Sequence, residues 1–256
     1  HKYDNKISIN DLTIEMEDNK IYGLIGESGS GKTTLLELID GLLKPSSGEI
    51  IINDTTNIKE IRKDIGFVFQ FPEEQFFETT VKKEIEYSLN NFKIKKDKVL
   101  DAISLVGLNK EILNKKTKEL SNGERRLVAI ASVLVYNPKI ILFDEPTIGL
   151  DNKNKNKLIW LIKQLKNTYN KTIIISSHDI DLLYELCDDL IVLNDGKLIM
   201  YGDPASIYKE EDILEKYNID LPSILKFEKL VNKRKNIKLM HTTSINDLIK
   251  EIYRNV

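Results

Sequence analysis

A glycine-rich run, Gly26-Glu-Ser-Gly-Ser-Gly-Lys32-Thr33, is the part of the sequence whose residue types and spacing most clearly point to chemistry. It fits the pattern G-x-x-x-x-G-K-[ST], follows an apolar run typical of a strand and opens a helical pattern. Glycines let backbone N–H groups surround phosphate oxygens, and a helix N-terminus adds a favourable dipole. Lys32 can reach the β- and γ-phosphates of a nucleotide, and the Thr33 hydroxyl can bind Mg²⁺. The pattern predicts a nucleoside triphosphate site, the alternative being a glycine-rich turn with a chance lysine.

Two carboxylates end a second apolar run, Ile140-Ile-Leu-Phe-Asp144-Glu145. Beyond the end of a parallel strand, neighbouring side chains can both face the crevice in which such sheets bind ligands. We expect Asp144 to hold Mg²⁺, directly or through water, and Glu145 to polarise the attacking water. Two solvated acids at a strand end are common in isolation, but a phosphate loop in the same chain favours the catalytic interpretation.

Two other polar residues follow predicted strands. His178 comes after the run Thr172-Ile-Ile-Ile-Ser-Ser177, and Gln70 comes after residues 65–69. Because the carboxyl ends of parallel strands share one edge of a sheet, His178 could reach the γ-phosphate there. Gln70 could sense the metal and the nucleophilic water at the same edge. Without that context, a lone histidine or glutamine is usually structural or exposed.

The elements that must position these residues alternate along the chain. Apolar strand-like runs are separated by helical patterns, which predicts an α/β fold with a parallel sheet. The predicted strands lie at Ile21–Ile25 and at residues 49–53, 65–69, 140–143, 172–176 and 190–193. Asn194-Asp-Gly196 predicts a hairpin turn. A Lys-rich helical insertion is expected over about residues 73–125 and short charged helices after Gly202.

Composition limits the possible functions. Of 256 residues, 41% are hydrophobic and 30% are charged, which supports a buried core and argues against wholesale disorder. The net charge of −2 gives no global basic field for nucleic acid. The single cysteine, Cys187, cannot form an intrachain disulfide and fits a reducing, cytosolic compartment. The apolar runs are far shorter than the roughly 20 residues that span a bilayer. We therefore expect any membrane contact to be made through a partner.

A short motif, Leu120-Ser-Asn-Gly-Glu124, precedes a helix-forming run and resembles the signature L-S-G-G-Q of ABC ATPases. Five other elements occur in that family's order and spacing: the phosphate loop, Gln70, Asp144 with Glu145, Ile148-Gly-Leu-Asp151 and His178. The resemblance covers residues 3–202. It implies an α/β P-loop NTPase fold of the ABC ATPase type, with a parallel-sheet core, an antiparallel β subdomain, a helical insertion and a small C-terminal extension.

The resemblance also implies ligands and roles. ATP and Mg²⁺ are the expected ligands, and two ATPase chains pair head to tail, so that the signature of one closes over the phosphate loop of the other. Residues expected to bind the nucleotide are Tyr3, Gly26, Ser28, Gly29, Ser30, Gly31, Lys32, Thr33, Thr34, Ser121, Gly123 and Asp151. Residues expected to hold the metal are Thr33, Gln70 and Asp144, and the expected catalytic residues are Glu145, His178 and Gln70. Tyr3 stands where the family has an aromatic residue that stacks on adenine.

The signature departs from the family pattern at two positions. Asn122 replaces a glycine and Glu124 replaces the glutamine. Asparagine tolerates unusual backbone angles better than most residues, so the loop can survive the first change. Glu124 adds a negative charge near the incoming phosphates. We therefore hypothesise that the two ATP sites of a heterodimer are unequal, and that the site lined by Asn122 and Glu124 is the weaker one.

The run after Gln70, Phe71-Pro-Glu-Glu-Gln-Phe-Phe-Glu-Thr-Thr-Val81, resembles the ATPase subunits of energy-coupling-factor (ECF) importers for vitamins and metal ions. It is closest to the second of their two ATPases, and the tail runs Tyr217-Asn-Ile-Asp-Leu-Pro222 and Thr243-Ser-Ile-Asn-Asp-Leu248 agree. The implied partners are a paralogous ABC ATPase in a heterodimer, a transmembrane coupling protein and a substrate-binding membrane protein, with no nucleic acid. The implied location is peripheral, at the cytoplasmic face of the cell membrane. We expect a nucleotide-binding domain over residues 1–202 and an extension with a role in dimerisation over residues 203–256.

Three other function classes fit the sequence less well. A soluble ABC protein acting on nucleic acid or ribosomes would carry coiled-coil insertions, two fused cassettes or a strong basic patch. The ATPase of an unrelated transporter would lack the Phe71 to Val81 run. A simple P-loop kinase needs an acceptor-binding lid, and a GTPase needs an Asn-Lys-x-Asp motif, which Asn152-Lys-Asn154 does not complete.

Overall fold

The computed structural model describes residues 1–3, 6–72, 76–92, 98–235 and 249–250, with the backbone alone for residues 3, 6, 234 and 235. The described chain divides into two compact units. The first contains residue 1, Glu15–Lys20 and Thr33–Ser176, and the second contains Lys2–Ile14, Ile21–Lys32 and the chain from Ser177 onward. The predicted boundary between a nucleotide-binding domain (residues 1–202) and a C-terminal extension (residues 203–256) is not tested by these two units and stays a prediction.

The secondary structure is mixed. The strands are β1 (Lys2–Tyr3), β2 (Lys6–Ile7), β3 (Ile21–Ile25), β4 (Ile65–Val68), β5 (Ile140–Asp144), β6 (Thr172–Ser176), β7 (Asp189–Asn194) and β8 (Lys197–Gly202). The helices are α1 (Lys32–Asp40), α2 (Ile58–Asp64), α3 (Val81–Phe92), α4 (Val99–Leu105), α5 (Asn122–Leu134), α6 (Asn152–Asn167), α7 (Ile180–Leu186), α8 (Pro204–Ile207), α9 (Glu211–Lys216) and α10 (Ser223–Lys235). No helix in the described ranges is long and apolar enough to cross a membrane.

The first unit is organised around β5. This strand pairs in parallel with β4, where Ile65 lies opposite Ile140, and with β6, where Ile140 lies opposite Thr172. In the same register Asp144 lies opposite Ser176. All residues of β4 and β6 are buried, as expected for parallel strands covered on both faces. The carboxyl ends of the three strands therefore share one edge, and the prediction of an α/β fold with parallel strands is confirmed.

The second unit combines parallel and antiparallel pairing. Strand β3 pairs in parallel with β7, where Gly23 lies opposite Leu190, and β7 pairs in antiparallel fashion with β8. The turn between β7 and β8 has Asp195 at φ 48° and Gly196 at φ 73°. Two successive positive φ angles are what a two-residue type I′ turn requires, and the strands on either side pair in antiparallel fashion, so the predicted hairpin is confirmed. Helix α7 and the C-terminal helices α8, α9 and α10 also belong to this unit.

One predicted strand is wrong. Residues 49–53 do not form a strand, and only an isolated antiparallel bridge joins Ile52 to Thr55. Asn53 and Asp54, at φ 51° and 59°, form the turn between these two residues. Asparagine and aspartate adopt left-handed conformations more readily than other non-glycine residues, so the chain turns at these two positions and only a single bridge forms.

The carboxyl group of Asp40, the last residue of α1, makes the stability of the protein depend on pH. Burial raises the pKa of Asp40 from 3.8 to about 6, and the Arg62 guanidinium opposes part of that increase. A pKa that is raised in the folded state means that stability is lost as pH rises through the interval from 3.8 to about 6. Asp40→Asn is expected to match the wild type at pH 4 and to exceed its unfolding free energy by about 1–2 kcal/mol at pH 7.5.

Urea unfolding at the two pH values tests this expectation. Asp101→Asn is the control, because Asp101 is exposed on α4 and forms an ion pair with Lys98 at 3.8 Å. The same stability difference between Asp40→Asn and the wild type at both pH values would contradict the prediction.

Candidate nucleotide-binding site

The phosphate loop, residues 26–31, connects the end of β3 to the first residue of α1. Gly31 has φ 105°, and a Cβ at this position would lie 2.7 Å from the carbonyl oxygen of Ser8. A Cβ on Gly26 would lie 2.5 Å from Ser30 Oγ. Both distances are shorter than real Cβ contacts, so both positions require glycine. The loop has the close-packed, glycine-dependent backbone that a phosphate-binding turn needs.

Two buried polar groups accompany this loop. The ammonium group of Lys32, which is only 7% exposed, donates to the carbonyl oxygens of Gly26 at 2.7 Å and Glu27 at 3.0 Å. Ser30 Oγ is buried and has no hydrogen-bond partner among the residues that the structure describes. A buried hydroxyl that makes no hydrogen bond is costly, and a phosphate oxygen could accept from it as well as from Lys32. The loop therefore fits an anionic ligand. Ser28 and Gly29 are exposed in it.

Two carboxylates that the sequence analysis did not single out accept hydrogen bonds from residues near the C-terminal helices. Glu27, inside the phosphate loop, accepts a hydrogen bond from Asn218 Nδ2 at 2.9 Å. Asp181, in the first turn of α7, accepts from the backbone N–H of Ser223 at 2.6 Å and from its hydroxyl at 2.7 Å. Ser223 is the first residue of α10, where a carboxylate interacts favourably with the helix dipole.

A hydroxyl and a carboxylate meet at the end of β5 in the first unit. Thr33 Oγ1 donates to Asp144 Oδ2 at 2.9 Å, and the other oxygen of Asp144 accepts a short hydrogen bond from the hydroxyl of Ser176. Asp144 is 5% exposed. Mg²⁺ is typically held by one or two such oxygen ligands together with phosphate oxygens. In the described residues, no cluster of three or more His, Cys, Asp or Glu side chains could hold a metal. The Thr33 hydroxyl and the Asp144 carboxylate are oxygen donors that fit Mg²⁺ shared with a nucleotide.

Glu145 follows immediately and is held in an uncommon conformation. It is 7% exposed and has φ 47°, in the left-handed region that glutamate rarely occupies. Its backbone N–H donates to the carbonyl oxygen of Ser176 at 3.0 Å and to the Ser176 hydroxyl at 3.2 Å. Strained backbone that its surroundings hold in place is typical of functional sites. Glu145 thus has the burial and the fixed backbone that a water-polarising carboxylate needs.

The signature motif begins α5. Ser121 is the N-cap, its hydroxyl accepting from the N–H of Glu124 at 3.3 Å, while the Glu124 carboxylate accepts from the N–H of Ser121 at 2.9 Å. The second oxygen of Glu124 lies 2.9 Å from Lys115 Nζ. The hydrogen bond from the Ser121 N–H, with Lys115, lowers the pKa of Glu124. Asn122 is the first helical residue and has no positive φ, so the loop does not depend on unusual backbone angles there.

The start of α6 lies beside the signature. Asp151 is the N-cap of α6 and accepts from the backbone N–H of Asn154 at 2.7 Å and from its side chain at 3.2 Å. A Cβ on Gly123 would lie 3.2 Å from the same Asn154 side chain. The N-termini of the two helices, where backbone N–H groups favour anions, are therefore neighbours. The predicted binding residues Gly123 and Asp151 are brought together here.

The remaining predicted site residues lie at other points of the described chain or partly outside it. His178 is exposed between β6 and α7, and Thr34 is half-buried in the first turn of α1. Gln70 follows β4, and its carbonyl oxygen accepts from Arg126 at 2.7 Å. The side chain of Tyr3 lies outside the described residues, as do residues 73–75 and 243–248 of the runs that resemble ECF subunits.

Comparison with known proteins gives consistent matches. The family described as "ABC transporter" matches residues 9–148. The energy-coupling factor transporter ATP-binding protein EcfA2 of Caldanaerobacter subterraneus subsp. tengcongensis is 39% identical, over 89% of this chain and 83% of that protein. CbiO1 of Clostridium perfringens, described as part of the ABC transporter complex cbiONQ, has a TM-score of 0.73 and 32% identity, covering 87% of this chain and 92% of its own. The ATP-binding cassette MJ0796, solved as a dimer bound to ADP and Pi, has a TM-score of 0.70 and 31% identity, covering 79% of this chain and 94% of its own.

Proposed function

The chain belongs to the ABC transporter family, whose ATPases couple ATP hydrolysis to transport, and we propose that it is one of the ATPase subunits of an ECF importer for vitamins or metal ions. The similarity to EcfA2 along most of both chains supports the importer class. The observation that carries the hydrolytic activity is the Thr33 hydroxyl paired with the Asp144 carboxylate, directly before the buried Glu145.

Each residue of the proposed site has a role that follows from its contacts. Lys32 already donates to two loop carbonyl oxygens and would transfer its hydrogen bonds to phosphate oxygens when ATP binds. Thr33 and Asp144 would hold Mg²⁺, which supplies charge neutralisation at the β- and γ-phosphates. Glu145 accepts a proton from the attacking water, and its fixed backbone orients the carboxylate. His178 and Gln70 are proposed to contact the γ-phosphate and the water.

The complete site requires a second chain. We propose that Ser121 and Gly123 of one ATPase close over the phosphate loop of its partner, since the N-terminus of α5 offers N–H groups and a dipole to a γ-phosphate. The dimeric arrangement of MJ0796 with ADP and Pi is consistent with such pairing in this family. The proposed partner is a paralogue, and ATP-driven closure of the heterodimer would be the step that drives transport.

The altered signature is proposed to make the two ATP sites unequal. Asn122→Gly together with Glu124→Gln is expected to raise kcat for ATP hydrolysis in the assembled complex about 2- to 10-fold, because a negative charge near the incoming phosphates is removed. The gain is limited because Lys115 already compensates part of the Glu124 charge. Phosphate release under saturating ATP measures the effect.

Glu119→Gln is the matched control for this prediction. Glu119 is an exposed carboxylate in the same segment, and it accepts a hydrogen bond from the backbone N–H of Lys116 at 3.2 Å. An unchanged kcat for ATP hydrolysis in the Asn122→Gly, Glu124→Gln complex would contradict the hypothesis that the ATP site lined by these residues is the weaker one.

The proposed membrane partner is a transmembrane coupling protein, with a separate substrate-binding membrane protein completing the importer. Exposed aromatic side chains follow Gln70: Phe71 is 43% exposed and Phe77 is 75% exposed, stacked on Tyr87 at 5.4 Å between ring centroids. Exposed aromatic groups of this kind often anchor protein interfaces. The chain would then lie at the cytoplasmic face of the membrane as a peripheral subunit.

The proposal is tested by recovering the tagged chain from mildly solubilised native membranes and identifying what accompanies it by mass spectrometry. A second, similar ATPase and one multi-span membrane protein are expected. Recovery of ribosomal proteins or nucleic acid without a membrane protein would leave the ATPase chemistry standing and overturn the transport function.

A further inference from the structure

Arg126 lies on α5, two residues after Glu124, and is buried with 5% exposure. Its guanidinium donates to three backbone carbonyl oxygens: Pro146 at 2.8 Å and Ile148 at 2.9 Å through Nη1, and Gln70 at 2.7 Å through Nη2. All three bonds run from one helix to two loops of the same compact unit. The guanidinium therefore joins, by hydrogen bonds, three segments that are far apart in the sequence.

The two loops held by Arg126 carry residues of the proposed catalytic site. Gln70 is itself one of its partners, and Pro146 directly follows Glu145. Ile148 lies within the turn, residues 146–149, that leads to Asp151, the N-cap of α6. Since Arg126 is on the helix that the signature begins, its position links the signature to the backbone beside both Gln70 and Glu145.

Arginine is suited to this arrangement for a physical reason. Its planar guanidinium group presents five N–H donors in a rigid fork. Carbonyl oxygens in buried loops must be hydrogen-bonded, and bonds from a charged donor are stronger than neutral ones. A lysine ammonium has three donors at a single point and cannot match three carbonyl oxygens spread over two loops in the same way.

We propose that Arg126 is a positioning residue for ATP hydrolysis, which fixes the backbone after Gln70 and after Glu145 relative to the signature helix. This inference rests on the proposed function, because it assigns Arg126 a part in that same site. It predicts an effect on kcat and little effect on nucleotide affinity. The reason for this difference is that Lys32 is held by the carbonyl oxygens of Gly26 and Glu27, whereas the three hydrogen bonds of Arg126 described above go to Pro146, Ile148 and Gln70.

The test uses the complete membrane complex carrying Arg126→Met, with Arg125→Met as the matched control. Arg125 neighbours Arg126 on α5 and donates to the carbonyl oxygen of Lys118 at 3.2 Å, outside the catalytic loops. Arg126→Met is expected to lower kcat about 30-fold or more, with KM for ATP within about threefold of the wild type. Arg125→Met is expected to change either constant by less than about twofold. A kcat for Arg126→Met within about threefold of the wild type would overturn the proposal.

Arg126→Lys keeps the charge and covers the case in which Arg126→Met fails to assemble. A loss in kcat of about threefold or more with unchanged KM supports the proposal, and a smaller loss overturns it. A complex in which both constants change together would also overturn it, because that result indicates general disruption of the fold.

A second measurement separates positioning from stability. If Arg126 acts through Gln70, the loss caused by Arg126→Met should be clearly smaller in a Gln70→Ala background than in the wild type. Losses that multiply independently would overturn the proposal. Failure of the proposed function would be seen in the wild-type complex itself. That complex would then lack ATPase activity or a membrane partner, before any variant is compared.

Discussion

In the assembled complex, Glu145→Gln is expected to lower kcat for ATP hydrolysis about 10²- to 10⁴-fold, the range associated with loss of a general base. The amide has nearly the same shape as the carboxylate but cannot accept the proton of the attacking water. The backbone of Glu145 is held by two hydrogen bonds to Ser176, which the substitution does not remove. ATP affinity should therefore be preserved, and ATP-bound closed dimers should accumulate.

Two measurements on the same preparation test this expectation. Phosphate release gives kcat, and the amount of ATP that stays bound after rapid desalting shows whether ATP-bound closed dimers accumulate. Glu111→Gln, an exposed carboxylate in a short 3-10 helix, is the matched control and should behave as the wild type. A Glu145→Gln complex that hydrolyses ATP at the full rate would remove Glu145 from the role of polarising water.

Lys32→Ala is the second substitution with a large expected effect, and it acts on binding. The Lys32 ammonium is buried beside the phosphate loop, where it donates to Gly26 and Glu27. Charge-assisted hydrogen bonds to phosphate are strong, so their loss is expected to weaken ATP binding about 10- to 100-fold, equivalent to about 1.4–2.7 kcal/mol. Binding of a fluorescent ATP analogue to the complex measures the change.

Two further variants show whether the charge is the cause. Lys32→Met keeps most of the side-chain stem and should lose as much affinity as Lys32→Ala. Lys59→Ala removes an exposed lysine from α2 and should change affinity less than about twofold. Full ATP affinity in either Lys32 variant would contradict the phosphate role of this residue.

The sequence predicted the framework of the site well because local patterns determine it. Apolar runs located β3, β4, β5, β6 and β7 within one or two residues, and the phosphate loop follows β3 as the motif requires. The parallel arrangement then placed Asp144 at a shared strand edge. These inferences needed only the period of the side chains and the rule that parallel strands end on one side.

What the sequence could not predict depends on contacts between distant residues. Ser176 looked like the last residue of a strand, and only the register that sets it opposite Asp144 gives it a role. Arg126 looked like one of two basic residues in a helix, and only tertiary structure brings three carbonyl oxygens to it. No sequence spacing encodes such pairings.

The altered signature is a case in which the structure changes the physical interpretation. From the sequence, Glu124 adds a negative charge near the incoming phosphates. In the structure, that carboxylate caps the N-terminus of α5 and is paired with Lys115. A capping carboxylate stabilises the start of a helix, so Glu124 supports Ser121 while it alters the charge that an incoming nucleotide would meet.

The most direct test of the central claim is the rate of ATP hydrolysis per chain, measured for the isolated chain and for the complex recovered from membranes. Because each proposed site needs residues from two ATPases, we expect the complex to hydrolyse ATP at least about 10-fold faster than the isolated chain. That result, with a multi-span membrane protein in the complex, would support an ATP-driven importer subunit. Equal rates, or no hydrolysis by the complex, would contradict it.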